Sequence, residues 1–155
     1  MGQEIERKFL PASEAWRGCA AGTPYRQGYL CASKGQTVRV RLAGGQAFLT
    51  IKGPAQGISR AEFEYPIPVA DARELFLLCP LPLIEKTRYR IAYEGLIWEV
   101  DEFSGANSGL VLIEVELASA EQIVAKPDWV GEEVSGDSRY SNAMLSRQPY
   151  TAWGK

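Results

Sequence analysis

Charged residues of the same sign recur two positions apart along this chain, and their types and spacing could do chemistry. The acidic pairs are Glu4/Glu6, Glu62/Glu64, Glu99/Asp101 and Glu114/Glu116, and the basic groups are Arg39/Arg41 and Lys86/Arg88/Arg90. Clustered carboxylates are the oxygen ligands that Mg²⁺ or Mn²⁺ prefers, whereas clustered Arg and Lys side chains bind phosphate oxygens. Together the two kinds of group are typical of a site for a metal-bound polyphosphate.

Several other kinds of site are excluded by what the chain lacks. There is no histidine among its 155 residues, which excludes histidine-based zinc sites and nucleophile–histidine catalysis. Neither Gly-x-x-x-x-Gly-Lys-Ser/Thr nor Gly-x-Gly-x-x-Gly occurs, so side chains must hold any phosphate. The formal charge is −2, which gives no basic excess to attract nucleic acid or lipid.

Cysteine usage and hydropathy bear on the location of the protein. The three cysteines, Cys19, Cys31 and Cys79, form no Cys-x-x-Cys pair, so we expect buried free thiols in a reducing cytosol. The chain is charged from Glu4 onward, and no apolar run approaches the roughly 18 residues of a membrane helix. These features predict a cytoplasmic protein with no membrane partner.

A hydrophobic period of two dominates the chain and predicts β-strands. The predicted strands are 3–9, 25–32, 36–43, 46–52, 60–67, 84–94, 96–103 and 110–118, and the predicted helices are 13–19, 70–78, 119–125 and 138–147. Asp71 and Ser119 are the expected N-caps of two of these helices. Short connections favour antiparallel pairing. We therefore predict a mainly β (α+β) fold, an eight-stranded antiparallel closed barrel in one domain over residues 1–155.

The charged rows of these strands are expected to face inward. In the third strand, Arg39 and Arg41 share one face, and Val38, Val40 and Leu42 share the other. Like charges two positions apart, roughly 7 Å, repel by about 0.6 kcal/mol in water and about 2.4 kcal/mol at an effective dielectric of 20. A solvated face would mix signs, so the grouping by sign favours a charged lumen. Two alternatives are charged rows in water and a lipocalin-like barrel with the valine row inside.

The segment Glu4-Ile5-Glu6-Arg7-Lys8 resembles the Glu-x-Glu-x-Lys signature of the CYTH, or triphosphate tunnel metalloenzyme, superfamily. Later segments resemble the strands of that superfamily in order: 27–30, 38–41, 49–53, 62–65, 86–89, 98–101 and 114–117. Residues 137–142 resemble the start of its closing helix. The resemblance covers nearly the whole chain and is to the short bacterial branch associated with inorganic triphosphate. It implies an eight-stranded barrel forming a tunnel for a triphosphate and a divalent metal.

The resemblance also implies roles for individual residues. It assigns the phosphate chain to Lys8, Arg39, Arg41, Lys52, Lys86 and Arg88, with Tyr29, Glu62 and Glu64 as further substrate contacts. It assigns the metal to Glu4, Glu6, Glu114 and Glu116, with Asp101 as a further ligand. Arg60, Arg90, Glu99 and Arg139 are expected to play supporting parts or none.

The activity that the resemblance implies is metal-dependent hydrolysis of inorganic triphosphate to pyrophosphate and phosphate, with Mg²⁺ or Mn²⁺ as cofactor. Glu4 and Glu6, and Lys52 or Lys86 at the leaving oxygen, are the expected catalytic residues. Alternatives within the same superfamily are a nucleoside or thiamine triphosphatase and an adenylate cyclase. A non-catalytic polyphosphate or nucleotide binder is a further alternative.

The expected partner is a small-molecule triphosphate, with no nucleic acid, and the chain is expected to be a monomer or homodimer. An organic substrate would need a pocket at a tunnel mouth. Trp16, Trp129 and Trp153 are the aromatic residues that would line such a pocket if they did not serve in packing.

Overall fold

The computed structural model describes residues 2–154, which form nine antiparallel strands and two short α-helices. The strands are β1 (Gln3–Pro11), β2 (Gly22–Ser33), β3 (Gln36–Ala43), β4 (Gln46–Lys52), β5 (Ser59–Ile67), β6 (Ile84–Tyr93), β7 (Leu96–Phe103), β8 (Val111–Glu116) and β9 (Val130–Glu133). The α-helices are α1 (Val69–Phe76) and α2 (Asn142–Arg147), and 3₁₀ turns occupy Gly105–Asn107, Ser138–Tyr140 and Tyr150–Ala152.

Eight of these strands close into a ring, which confirms the predicted barrel. The ring order is β1-β5-β4-β3-β2-β6-β7-β8, returning to β1. Strand β1 closes it by changing partner along its length: Gln3–Ile5 pair with β5, and Glu6–Phe9 pair with β8. The ninth strand, β9, pairs with the end of β1 at Phe9 and Pro11. Closure makes the inward rows of the eight strands, most of which are charged, face a common lumen.

Tight turns set the register of the hairpins. Glu94 and Gly95 connect β6 to β7, and both have positive φ (48° and 79°), as a two-residue type I′ turn requires. Register then places Arg88 opposite Asp101 and Arg90 opposite Glu99. The turn therefore decides which charges of the two strands meet.

The apolar rows face outward and are covered by the rest of the chain. Phe9, Trp98 and Ile113 are fully buried on the outer face of the barrel, where Trp16 and Trp129 pack against the same cluster. Elsewhere Ala72 and Phe76 of α1 cover Val40 and Ala47, and Leu145 of α2 packs with Ile84 and Leu112. The core therefore lies around the barrel, and the lumen is left to the charges.

This arrangement decides between the alternatives for the charged rows. Val40 lies outside the barrel beneath α1, while Arg39 and Arg41 line the lumen. A lipocalin-like apolar interior is therefore wrong for this chain. So is a barrel whose charged rows are all in water, because Arg39, Lys86 and Arg88 are buried.

Two predicted helices do not form. Residues 13–19 are turns and bends, with Trp16 inserted into the outer core and Gly18 at φ 81°. Residues 119–125 contain a single turn, where the Gln122 side chain accepts a hydrogen bond from the Ala118 N–H. Helix nucleation is unfavourable, so short segments such as these remain non-helical where side-chain hydrogen bonds and packing compete for the backbone.

The two helices that form depart from prediction at their starts. Helix α1 begins after Pro68 without a side-chain cap, so Asp71 lies in the first turn and is not the N-cap. The predicted 138–147 helix is a 3₁₀ turn followed by α2, because Ser141 caps the second segment by accepting from the Met144 N–H. No helix in the described range is long and apolar enough to cross a bilayer.

The cysteines are free, but they are not buried as expected. Cys19 and Cys31 are exposed, and Cys79 is half-buried. The strand β9 was not predicted, because four residues are too few to show a period of two.

Candidate active site

The barrel encloses a cavity of about 510 Å³ whose wall is mostly charged. Its lining includes nearly all of the site residues predicted from the sequence: Glu4, Glu6, Lys8, Tyr29, Arg39, Arg41, Lys52, Glu62, Glu64, Lys86, Arg88, Glu114 and Glu116. A second cavity of about 340 Å³ shares Glu4, Glu6 and Lys8 and opens between residues 55–58 and 135–138. The predicted rows thus meet in one tunnel.

The tunnel wall divides into two arcs of opposite charge. The basic arc consists of the adjacent strands β6, β2, β3 and β4, and its charged residues are Lys86, Arg88, Arg39, Arg41 and Lys52. The acidic arc consists of β5, β1, β8 and β7, and the carboxylates that it presents to the cavity are Glu62, Glu64, Glu4, Glu6, Glu114, Glu116 and Glu99. Asp101 of β7 is buried behind this wall. Within the described tunnel wall, two cations lie in the acidic arc, Lys8 on β1 and Arg60 on β5. The arcs present a face for an anion opposite a face for a cation.

At the boundary between β6 and β7 the arcs are joined by a dense set of ion pairs. Asp101 is fully buried and accepts from Lys86 Nζ at 2.7 Å and from the Arg88 guanidinium at 2.7 and 2.8 Å. Arg88 also contacts Glu99 at 3.1 Å and Glu114 at 3.3 Å. Burial alone would raise the pKa of Asp101, but Arg88 and Lys86 more than offset it and lower that pKa. Asp101 therefore orients two cations of the basic arc.

The opposite boundary, where β4 meets β5 and β1, is looser. Lys52 Nζ lies 3.0 Å from Glu4 and 3.6 Å from Glu62. Arg39 donates to the Thr50 hydroxyl at 3.1 Å and lies 3.5 Å from Glu64, while Thr50 donates to Glu64 at 2.8 Å. These contacts hold Lys52 and Arg39 toward the tunnel.

Two cations of the basic arc carry more positive charge than their surroundings neutralise. Burial, with repulsion from Arg39 and Arg88, lowers the pKa of Arg41 to about 10, and no described carboxylate lies within ion-pair distance of it. Burial likewise lowers the pKa of Lys86 to about 7, although Asp101 opposes the shift. An anion beside these two groups would stabilise their charged forms.

The acidic arc carries negative charge that neighbouring cations do not fully neutralise. Burial, together with the negative charges of Glu114 and Glu4, raises the pKa of Glu6 to about 8. Its neighbour Glu114 behaves oppositely: burial would raise its pKa, but Lys8 and Arg88 lower it instead. Burial and the nearby Glu4 and Glu62 also raise the pKa of Glu116. Within residues 2–154, no Lys or Arg pairs with Glu6 or Glu116.

The donor set of the acidic arc fits a hard divalent cation. Glu6 and Glu116 are direct cross-strand partners, and Glu4 and Glu114 line the same wall. Among the described residues, no three acidic side chains already form a closed cage for an ion, since Glu4 and Glu114 contact lysines. Mg²⁺ commonly binds through a few carboxylates together with substrate phosphates, and this wall offers that arrangement.

Other predicted residues lie apart from the main contacts. Asp101 does not line the cavity but lies behind Lys86 and Arg88. Arg90 is 63% exposed beside Glu99. Arg60 lines the cavity and donates to the carbonyls of Gly53 and Gly35, so that it ties two loops together. Arg139 pairs with Asp137 outside the main cavity.

The tryptophans do not line either cavity. Trp16 and Trp129 belong to the outer core, and Trp153 packs on Tyr140 and Tyr150. Packing is therefore the correct interpretation of these residues.

Uncharged residues that sequence reasoning missed complete the wall. Gln27 is fully buried between Arg41 and Asn142, and Asn142 contacts Lys86. Gln27 shares the row of Tyr29, which is a weak signal in the sequence. Asn142 shows no signal in any strand pattern, because it lies at the start of α2.

Comparison with known proteins identifies the family to which this chain belongs. A family model for the CYTH domain matches residues 2–150. The chain belongs to the CYTH domain family, whose superfamily of triphosphate tunnel metalloenzymes implies a divalent metal.

Two similar proteins share the name inorganic triphosphatase. An inorganic triphosphatase of Acetivibrio thermocellus is 50% identical over 151 residues, covering 97% of each chain. An inorganic triphosphatase of Nitrosomonas europaea is 40% identical over 147 residues, covering 92% of this chain and 96% of the relative. The crystal structure of an inorganic triphosphatase matches with a TM-score of 0.67 and 39% identity, covering 92% of this chain and 97% of the other.

Proposed function

We propose that this protein hydrolyses inorganic triphosphate to pyrophosphate and phosphate with the help of a divalent cation, Mg²⁺ or Mn²⁺. The observation that supports it is the opposition of the two arcs across one tunnel, with unneutralised cations on one side and unneutralised carboxylates on the other. A triphosphate with its metal complements both sides at once. Two relatives with the name inorganic triphosphatase point to the same substrate.

Substrate binding falls to the basic arc and Lys8. Arg39, Arg41 and Arg88 present guanidinium groups suited to bidentate contact with phosphate oxygens. Their contacts with Thr50, Gln27 and Asp101 hold them in place before substrate arrives. Tyr29, Glu62 and Glu64 border the same cavity and complete the proposed substrate contacts. Binding in a fixed geometry lowers the entropic cost of the reaction.

Hydrolysis needs a water aligned with the terminal phosphorus and a cation at the leaving oxygen. Glu4, Glu6, Glu114 and Glu116 would hold the metal, which supplies Lewis acidity and a more acidic water when bound. Without a cation beside it, burial and the carboxylates of Glu114 and Glu4 raise the pKa of Glu6 to about 8, and a bound cation would stabilise its charged form. A carboxylate of this arc next to the attacking water would take the proton that the water loses. The P–O bond breaks as water attacks, and Lys52 or Lys86 stabilises the pyrophosphate oxygen that forms.

The composition of the tunnel wall weighs against the alternative functions. A nucleotide or thiamine ester would need an apolar pocket for its organic group, and the described cavities contain no tryptophan. A non-catalytic binder of polyphosphate would be weakened by the seven carboxylates that line the cavity, so those carboxylates favour an enzyme. The exposed free thiols of Cys19 and Cys31 fit a reducing compartment, and we propose a cytoplasmic location.

The test is phosphate release from inorganic triphosphate, ATP and thiamine triphosphate, each with Mg²⁺, with Mn²⁺ and with chelator. We expect metal-dependent release from inorganic triphosphate at a kcat/KM at least about 100-fold above the others. Equal release from ATP would overturn the substrate assignment. Release in chelator would overturn the role of the metal.

A further inference from the structure

Two neutral amides, Gln27 and Asn142, connect the cations of the basic arc. Gln27 Oε1 accepts from Arg41 Nε at 2.9 Å, and Gln27 Nε2 donates to Asn142 Oδ1 at 2.9 Å. The same Asn142 oxygen accepts from Lys86 Nζ at 2.9 Å. A continuous chain of hydrogen bonds thus runs from β3 through β2 to α2 and back to β6.

The orientation of both amides is fixed by partners that can only donate. A guanidinium has no acceptor, so Gln27 must turn its oxygen to Arg41 and its NH₂ group to Asn142. Asn142 must therefore turn its oxygen to Gln27. Lys86 imposes the same orientation independently, because an ammonium group also only donates. Flipping Asn142 would place its NH₂ group against two donors.

This orientation leaves the Asn142 NH₂ group available. Asn142 lines the tunnel cavity beside Lys86, and its Nδ2 has no acceptor among residues 2–154. The residue is held in place from both sides. Gln27 beneath it is 0% exposed, and at the other end of α2 Arg147 donates to the Ala32 carbonyl at 2.7 Å.

We propose that Asn142 Nδ2 donates a hydrogen bond to an oxygen of the bound polyphosphate, and that Gln27 is the positioning residue that keeps this amide turned toward the tunnel. This inference rests on the proposed triphosphatase function. Helix α2 thereby contributes a substrate contact through a side chain, in addition to its packing on the barrel. An amide donor adds a phosphate contact without adding charge to an arc in which Arg39 and Arg88 already repel Arg41.

The first test replaces the donor and keeps the acceptor. Asn142→Asp retains an oxygen for Gln27 and Lys86 but presents a carboxylate oxygen to the phosphate. We expect the KM for inorganic triphosphate and its Kd in chelator to rise at least about tenfold, with a smaller change in kcat. Asn107→Asp is the matched control, because Asn107 is buried outside the cavity and its oxygen accepts from the Tyr150 N–H.

The control variant is expected to keep the KM of the wild type. A KM and Kd for Asn142→Asp within twofold of wild type would overturn the contact. If Asn142→Asp does not fold, Asn142→Ala serves in the same comparison, with the same expected rise and the same contradicting result. Failure of wild-type protein to bind inorganic triphosphate would instead refute the proposed function, so the two failures are distinguishable.

The second test concerns Gln27 and uses a double-mutant cycle. Gln27→Met removes both polar ends at similar volume, and we expect it to raise KM about fivefold in the wild-type background. In the Asn142→Ala background the same substitution is expected to have a markedly smaller effect, because the amide that it orients is gone. Equal effects in the two backgrounds would show that Gln27 does not act through Asn142.

Discussion

The two arcs of the tunnel are built from the same kind of strand, but they differ in how their charges are held. Each cation of the basic arc has a fixed acceptor: Gln27 for Arg41, Thr50 for Arg39, Glu4 for Lys52, and Asp101 for Lys86 and Arg88. In the acidic arc, Glu6 and Glu116 have no donor among the described residues. The comparison indicates that the anion site is formed in advance, whereas the cation site is completed only when a cation arrives.

The shifted pKa values of Lys86 and Glu6 show how the charges of the two arcs complement those of a ligand. Lys86 is pushed toward its neutral form mainly by burial, and Glu6 is pushed toward its neutral form by burial and by other carboxylates. Each arc therefore carries unfavourable electrostatic energy that a ligand of opposite charge would relieve. A metal-bound triphosphate would relieve both.

The largest effect is expected from the acidic arc. Glu6→Gln removes a carboxylate that has no Lys or Arg partner among residues 2–154 and is proposed to bind the metal. We therefore expect kcat at saturating metal to fall by about 10²–10³. The fold is expected to be retained, because the substitution removes repulsion from Glu4 and Glu114. Phosphate release and thermal unfolding in chelator measure the two properties. A Glu6→Gln variant with wild-type activity would contradict the role of Glu6 in metal binding. A lower unfolding temperature would show that this carboxylate stabilises the fold.

The next effect is expected from the basic arc. Arg41→Met removes a buried guanidinium that has no carboxylate partner among residues 2–154, so we expect the KM for inorganic triphosphate to rise by about 10–100-fold. Steady-state kinetics over a wide range of substrate concentrations measures this change. Arg41→Lys is the matched variant, and its KM is expected to lie between those of wild type and Arg41→Met. A change in kcat alone would contradict a binding role.

The two arcs also predict opposite dependences of stability on pH in chelator. Folded Glu6 keeps its proton up to about pH 8 while the unfolded side chain loses it near 4.5, so its contribution to stability falls across that interval. Folded Lys86 loses its proton near pH 7 while the unfolded side chain keeps it to about 10.5, so its contribution rises across that interval. Each slope is at most about 1.4 kcal/mol per pH unit.

Denaturant unfolding at a series of pH values tests these slopes. We expect Glu6→Gln to flatten the fall below pH 8 and Lys86→Met to flatten the rise above pH 7. Profiles of both variants parallel to that of the wild type would show that neither group is perturbed by its arc.

The smallest effect is expected at the edge of the basic arc. Arg90 continues the row of Lys86 and Arg88 in the sequence, but its side chain is 63% exposed and pairs with Glu99. Arg90→Met is therefore expected to change kcat/KM by less than about threefold, as is usual for an exposed ion pair. A fall in kcat/KM comparable to that of Arg41→Met would show that Arg90 belongs to the basic arc.

Much of the fold followed from local pattern. The period of two identified all eight strands of the ring, since alternation along a strand is a local property. The predicted helices at 13–19 and 119–125 were wrong, the first because of tertiary packing and the second because of a local side-chain-to-backbone hydrogen bond. Trp16 is drawn into the outer core, and Gln122 bonds to the Ala118 N–H.

The site was predictable to the extent that charge marks it. Rows such as Arg39 and Arg41 were found because same-sign pairs on one strand are unusual, and the structure places them in the tunnel. Their division into two arcs was not predictable, because it depends on β2 pairing with β6 and β5 with β1. Gln27 and Asn142 carry no charge, and only the folded chain brings them together.

The contrast between the arcs implies that the basic arc binds the anion by itself and that the acidic arc adds the metal. Calorimetric titration of inorganic triphosphate into wild type, Arg41→Met and Glu6→Gln, each in chelator and in Mg²⁺, tests it directly. We predict that Glu6→Gln binds as wild type does in chelator and lacks the strengthening by Mg²⁺, while Arg41→Met binds weakly in both. Binding by the wild type only when Mg²⁺ is present, or equal weakening of the two variants in chelator, would contradict the claim.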